Sequence, residues 1–184
     1  MIVRLLRGPS GREWPVLVLD GSTGQAALNF GGPASTDSVS CATVGNCAVG
    51  GSYTDATGNN GQAQTFVLNE TNGAFRKAIQ VPGSGTLNAG QVGSRALVSC
   101  ATAGNCVVGL IYTTAVSGVQ QAFVASETDG TWGTAIEIPG LVTLNAGSNA
   151  SIDSVSCGAA GNCAVVGTYR DGAGHTQAFV VSQA

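Results

Sequence analysis

Apolar and polar residues alternate over short runs along most of the chain, and glycine or asparagine separates one run from the next. A clear example is the Ala-Ile-Glu-Ile alternation within Trp132–Ile138. A period of two is typical of β-strands, whereas the glycines that interrupt every longer run disfavour helices. The pattern therefore predicts an all-β protein without helices.

The alternating pattern occurs three times at a nearly constant spacing. The matching segments are SVSCATVGNCAVGGSY from Ser38, ALVSCATAGNCVVGLIY from Ala96 and SVSCGAAGNCAVVGTY from Ser154. The frame continues at equivalent positions, which are Tyr53, Tyr112 and Tyr169; Gln64, Gln121 and Gln177; Phe66, Phe123 and Phe179. A repeat of about 58 residues is long for a solenoid turn and suits one blade of a β-propeller.

Each complete repeat is predicted to form four short strands, which we name a to d. The hairpin between c and d is indicated by Asn72-Gly73 and Asp129-Gly130, which favour type I′ turns. A Pro-Gly pair ends strand d, and a linker of about fourteen residues leads to the next repeat. In the first repeat the predicted strands are Ser38–Ala42, Asn46–Thr54, Gln64–Asn69 and Phe75–Val81.

One repeat unit is split between the two ends of the chain. Glu13–Leu19 resembles a d strand, with Trp14 in the place of Phe75, and the chain stops after the third c strand. The predicted order is therefore d, abc-d, abc-d, abc. We expect residues 1–12 to be an N-terminal extension and residues 13–184 to form a single domain. Its repeat units are 38–95, 96–153, and 154–184 completed by 13–37.

Blade closure predicts the oligomeric state. Propellers have about four to eight blades, and this chain encodes three. Two chains would give a six-bladed homodimer in which each N-terminal strand completes the last sheet of the partner. Two alternatives remain, a monomer with three-fold symmetry, trefoil-like or prism-like, and a fragment of a longer repeat array.

Composition excludes two classes of partner. Only 9% of the 184 residues are charged, the net charge is −3, and the seven basic residues are scattered. This argues against nucleic-acid binding. No apolar run approaches the roughly 20 residues of a membrane-spanning helix.

Six cysteines form three C-x5-C pairs, one in each repeat. The repeat favours three local disulfides over metal ligation or reactive thiols, and these are Cys41–Cys47, Cys100–Cys106 and Cys157–Cys163. Disulfides indicate an extracellular or periplasmic protein. The first residues lack the apolar stretch of a signal peptide, so we expect the export signal to lie outside this chain.

The repeat unit SVSC…GNC…AFV…ET-x-G-x-W-G resembles the cysteine-containing repeats of uncharacterised exported bacterial proteins. The resemblance extends from about Glu13 to the end of the chain. It implies a propeller-type fold and export, and it carries no established activity.

The candidate ligand-binding residues lie in the predicted linkers and near the start of strand a. This is the face on which propellers usually bind their ligands. The candidate residues are Asn29, Asn88, Asn145, Asp37 and Asp153. Several oxygen ligands converging on one axis could hold Ca²⁺, with Asn29, Asn88 and Asn145 as its ligands. The alternative is that these side chains cap turns by bonding nearby backbone.

Two further sets of side chains have both a functional and a structural interpretation. His175 could act as a general base beside Asp171, although Asp-Gly-Ala-Gly-His-Thr is also typical of a hairpin tip. The recurring tyrosines could stack on sugars or pack between blades.

Two functions are consistent with these features. The first is an exported propeller-type binding or scaffold module that presents a polar face to a carbohydrate, small-molecule or protein ligand. The second is a calcium-dependent hydrolase, acting on lactone, ester or glycosidic bonds from a site in the central channel. Whether the chain is an enzyme, and whether it carries Ca²⁺, stays open at this level.

Overall fold

The computed structural model describes seven ranges of the chain, with the backbone alone described for 3–7, 13–17, 55 and 62. The seven ranges are 3–7, 13–17, 28, 33–55, 62–87, 95–114 and 118–183. They form three antiparallel sheets in chain order, one for each repeat, together with a separate two-stranded hairpin. This confirms the all-β fold class. The hairpin consists of β1 (Val3–Arg7) and β2 (Glu13–Leu17).

The first two sheets have the same five elements. The first sheet contains β3 (Ala34–Thr43), β4 (Asn46–Asp55), β5 (Gln62–Thr71), β6 (Ala74–Phe75) and β7 (Ile79–Gln80). The second contains β8 (Leu97–Thr102), β9 (Asn105–Thr113), β10 (Gln120–Thr128), β11 (Thr131–Trp132) and β12 (Ile136–Glu137). The third sheet has three strands, β13 (Ala150–Ala159), β14 (Asn162–Arg170) and β15 (Thr176–Gln183).

The prediction of no helix was wrong at two places. The linkers that follow the first and second sheets begin with single helical turns, α1 (Ser84–Leu87) and α2 (Leu141–Leu144). Each turn follows a Pro-Gly pair, and Gly140 adopts a φ of 79° before α2. Four residues are too few for a helical period to appear in the sequence, which explains the error.

Strand d is interrupted rather than continuous. β6 and β7 both pair with β5, and residues 76–78 between them depart from the regular ladder, although Arg76 N still donates to Asn69 O at 2.7 Å. Strand a is longer than predicted, because Ala34 already pairs with Tyr53. The side chains at 34–36 are exposed, so no apolar alternation marks the start of that strand.

β2 pairs with β1, in a register that sets Glu13 opposite Arg7. Among the described residues, the third sheet therefore ends at β15 and contains no d strand. Closure of the third sheet stays a prediction, both by β2 of the same chain, as in the three-fold monomer, and by β2 of a second chain.

The three sheets pack against one another in chain order. β3 contacts β8, and β8 contacts β13, so the a strands are neighbours. Two apolar clusters lie at these contacts; the first includes Val67, Val98, Val108, Leu110 and Trp132, and the second includes Val107, Ile138, Leu141, Ile152 and Val165. Burying a side chain of this size contributes about 1.5–3 kcal/mol relative to leaving it in water.

Glycines in strand b allow this close approach. A Cβ atom at Gly50 would lie 2.8 Å from Val98 Cγ2, and one at Gly109 would lie 2.9 Å from Val155 Cγ2. Both distances are shorter than real side chains tolerate. The repeated glycine therefore lets each of these sheets stack on the next.

Candidate functional site

A cleft of about 510 Å³ opens between the first and second sheets, at the end where the a–b and c–d turns meet. The two turns are joined in each sheet, because Gly73 N donates to Gly45 O and Gly130 N donates to Gly104 O, both at 2.9 Å. Asn46 Oδ1 also accepts from Asn72 N. The asparagine of the Gly-Asn-Cys motif thus helps to build this end of the sheet.

The cleft combines an apolar wall with a polar rim. Its apolar wall consists of Val67, Ile79, Trp132 and the half-cystines Cys47, Cys100 and Cys106. Polar uncharged groups come from Asn46, Asn69, Thr71 and Thr102. Charged side chains of both signs also line it, namely Glu70, Arg76, Lys77, Glu127 and Asp129. Arg76 and Lys77 are exposed, so their side chains are accessible to a bound molecule.

A buried carboxyl group lies in this cleft. Glu127 on β10 is only 4% exposed. Asn69 Nδ2 on β5 donates to its Oε1, and Asn69 Oδ1 accepts from Trp132 Nε1 at 3.2 Å. Asn69 therefore ties two side chains of the second sheet to the first sheet, across the contact between them.

The second oxygen of this carboxyl, Oε2, is buried and has no hydrogen-bond partner among the described residues. Burial raises the pKa of Glu127, and the hydrogen bond from Asn69 only partly opposes this. An unpaired buried oxygen is costly, by about 1–3 kcal/mol. A water or a bound molecule that reaches this oxygen would supply the missing hydrogen bond.

Glu127 is not among the residues predicted from the sequence, because ligand binding was expected at the opposite end of the sheets. One feature of the sequence did point to this position. Glu70 and Glu127 occupy equivalent positions in the repeat, and Gln183 follows in the third. A smaller groove of about 230 Å³ between the second and third sheets is lined by both Glu127 and Gln183.

Asn145 is the one linker asparagine of the predicted set that the structure describes, since Asn29 and Asn88 lie outside the described residues. It is 2% exposed. Its Nδ2 donates to Gln120 O at 2.7 Å, and its Oδ1 accepts from Asn149 N at 2.9 Å. Both ends of the amide are engaged with backbone, which is the geometry of the turn-capping alternative.

The two aspartates near the start of strand a are the extra residues of β-bulges in β3 and β13. Asp37 Oδ2 accepts from Ala96 N at 2.9 Å, so its carboxylate joins the first sheet to the second. Asp153 is exposed and accepts from Ser151 Oγ at 3.2 Å. Across the described ranges, no three His, Cys, Asp or Glu side chains lie close enough to hold a metal ion.

Asp171 and His175 are close together at the tip between β14 and β15. Asp171 Oδ1 accepts from the amides of Ala173 and His175, each at 2.9 Å, and Oδ2 accepts from Gln177 Nε2. These hydrogen bonds, the one from Gln177 first, lower the pKa of Asp171. His175 Nδ1 lies 3.6 Å from Oδ2, and its ring is exposed. The carboxylate thus organises the hairpin tip.

The repeated tyrosines are mostly interior. Tyr53 and Tyr112 are buried, and Tyr169 is half-buried. The hydroxyl of Tyr112 donates to Glu137 Oε1, and burial, followed by this contact, raises the pKa of Tyr112 above its usual range. Packing is therefore the role of Tyr53 and Tyr112 in this structure.

Comparison with protein-family models, with curated proteins and with solved structures finds no match. The three predicted disulfides are confirmed as Cys41–Cys47, Cys100–Cys106 and Cys157–Cys163. Among the described residues, none of the helices is long and apolar enough to span a membrane.

Proposed function

We propose that the protein is an exported binding module made of propeller-type blades, and that it binds a neutral, hydroxyl-rich ligand such as an oligosaccharide. The binding site is the cleft between the first and second sheets. The observation that carries this proposal is the buried Glu127, whose Oε2 lacks a partner within the described structure.

The chemistry of the cleft supports a polyhydroxylated ligand. Sugar hydroxyls both donate and accept, and the cleft offers a carboxyl group, amides and hydroxyls beside an apolar wall. Charged side chains of both signs line it, so no strong field of one sign selects an ion.

Export and ring closure belong to the same proposal. Disulfides persist in oxidising compartments, which is compatible with an extracellular or periplasmic location. The ring is proposed to be a six-bladed homodimer, because the three repeat sheets that the structure describes are fewer than a propeller needs. The resemblance to cysteine-containing repeats of exported bacterial proteins supports this assignment of the sheets as blades.

The experiment is a nuclear magnetic resonance titration of the ¹⁵N-labelled protein with a panel of soluble neutral oligosaccharides, each tested separately. We expect at least one sugar to shift the amide resonances of Gly104 and Gly130, which line the cleft. Gly147 and Gly174, in the linker and the b–c turn at the opposite end, serve as internal controls. Shifts confined to Gly147 and Gly174 would move the site to the end originally predicted, and no shift with any sugar would overturn the ligand class.

A further inference from the structure

Each contact between sheets uses polar side chains of one a strand against the backbone of the next. At the first contact, Ser38 Oγ accepts from Val98 N and donates to Ala96 O, both at 2.8 Å. Ser40 Oγ accepts from Cys100 N at 3.0 Å. Together with the Asp37 carboxylate, these side chains form a docking row on β3, defined here as Asp37, Ser38 and Ser40.

The second contact repeats part of this arrangement. Ser99 Oγ on β8 accepts from Cys157 N on β13 at 3.0 Å, the same length and the same repeat position as the Ser40 contact. The contact is head-to-tail, since at both junctions a serine of the earlier sheet accepts from a cysteine amide of the later one. A head-to-tail contact can continue until a ring closes.

The third sheet carries the docking row again, and among the described residues no later sheet packs against it. Asp153, Ser154 and Ser156 stand at the positions of Asp37, Ser38 and Ser40, and all three are exposed. Strand c of the third sheet is exposed as well. Val180 on β15 is 74% exposed, whereas its equivalent on β5, Val67, is fully buried against the second sheet.

The first sheet carries the complementary receiving edge. Val39 pairs with Val49 in the same register as Val98 pairs with Val108, so its amide lies on the outer edge of the sheet. Val39 is 64% exposed, whereas Val98, covered by the first sheet, is 8% exposed. Within the described residues, the contact between sheets is therefore made twice. The first sheet and the third sheet each keep one surface of that contact uncovered.

We propose that the docking row of the third sheet, Asp153, Ser154 and Ser156, binds the β3 edge of a second copy of this chain. Its oxygens would accept from the amides of Asp37, Val39 and Cys41 of that copy. Two such contacts, related by a two-fold axis, close a ring of six sheets and leave neither edge exposed. This inference rests on the proposal that the sheets are propeller blades, and it adds the residues that join the two chains.

One difference affects the expected strength of the contact. Val166 stands where the first two sheets have Gly50 and Gly109, whose missing Cβ atoms admit the next sheet. The two copies must therefore be spaced slightly further apart than sheets within a chain. We expect the contact between copies to be weaker than the two internal ones.

The test is analytical ultracentrifugation of the full chain at micromolar concentration, with variants on each side of the contact. Wild type should have twice the 18.2 kDa chain mass. Ser156→Lys on the docking row and Val39→Asp on the receiving edge each bury an unpaired charge, so each should weaken the dimer by on the order of a hundredfold. Val44→Asp is the matched control, because Val44 is fully exposed in the a–b turn of the same sheet, and it should remain dimeric.

A wild-type mass of one chain, an open polymer, or a dimer that survives both Ser156→Lys and Val39→Asp would overturn the inference. The oligosaccharide titration keeps this failure distinct from failure of the proposed function. The cleft lies between two sheets of one chain, so monomeric Val39→Asp should still bind the sugar that wild type binds. A dimer that binds no sugar would instead contradict the proposed ligand and leave the docking row intact.

Discussion

Asn69 and Glu127 are 58 residues apart in the chain, and the amide of the first donates a hydrogen bond to the buried carboxyl of the second. The contact crosses from the first sheet to the second. It places a titratable group at a junction between repeats, where two neighbouring sheets also form the walls of a cleft. Stability, proton binding and ligand binding should therefore be linked at Glu127.

The first prediction concerns the pH dependence of unfolding. Burial raises the pKa of Glu127 above its ordinary 4.5, so the folded state binds the extra proton between pH 4.5 and the raised value. Over that interval the free energy of unfolding should fall as pH rises. Glu127→Gln should remove this component, so wild type should lose stability relative to the variant as the pH rises above 4.5.

Urea unfolding at a series of pH values measures this difference. Glu70→Gln is the control, because Glu70 holds the equivalent position in the first sheet and is only partly buried. A stability difference between wild type and Glu127→Gln that does not change with pH would contradict the assignment of the titrating group.

The second prediction concerns Asp37 and the contact between the first two sheets. Asp37→Ala leaves Ala96 N without its acceptor, and Ala96 is fully buried. Loss of a hydrogen bond to a charged group should lower the free energy of unfolding by about 1.5–3 kcal/mol. Asp37→Asn retains a side-chain oxygen and should recover part of the loss in a denaturant titration. Equal stability of Asp37→Ala and wild type would mean that the hydrogen bond does not stabilise the contact.

The third prediction separates capping from calcium binding at Asn145. Asn145→Ala should cost roughly 2 kcal/mol, because Gln120 O and Asn149 N both lose their partner. Thermal unfolding should give the same loss in millimolar CaCl₂ and in excess chelator. A loss that appears only in calcium would restore the interpretation of Asn145 as a metal ligand.

The strands and disulfides could be predicted because their signals are local. Asn72 and Gly73 have φ values of 50° and 78°, the left-handed pair that a type I′ hairpin requires, and Asn-Gly in the sequence indicates that turn. Strand c is buried on both faces, because Phe66, Val67 and Leu68 are all at most 4% exposed, and a short apolar run of this kind also marks a strand. The cysteines of each pair lie opposite one another across the hairpin they flank, for example Cys41 and Cys47.

The cleft could not be predicted because it is formed between repeats. Nothing near Glu127 in the sequence indicates that Asn69, one repeat earlier, binds its carboxyl. Asp37 is the converse case, a residue predicted to bind a ligand that instead joins two sheets. As a recurring aspartate it suggested a ligand site, but its carboxylate binds the backbone of the next sheet, a contact that depends on how the sheets stack.

The most direct test of the account is the affinity of the cleft for the oligosaccharide that responds in the titration, measured by calorimetry on two single variants. Arg76 lines the cleft and is exposed, whereas Arg95 is an exposed arginine that does not line it. Arg76→Ala should weaken binding about tenfold, the loss of roughly 1.4 kcal/mol expected for a hydrogen bond from a charged group. Arg95→Ala should bind as wild type does. Equal affinities for wild type and Arg76→Ala, together with weaker binding by Arg95→Ala, would contradict the assignment of the site to the cleft between the first and second sheets.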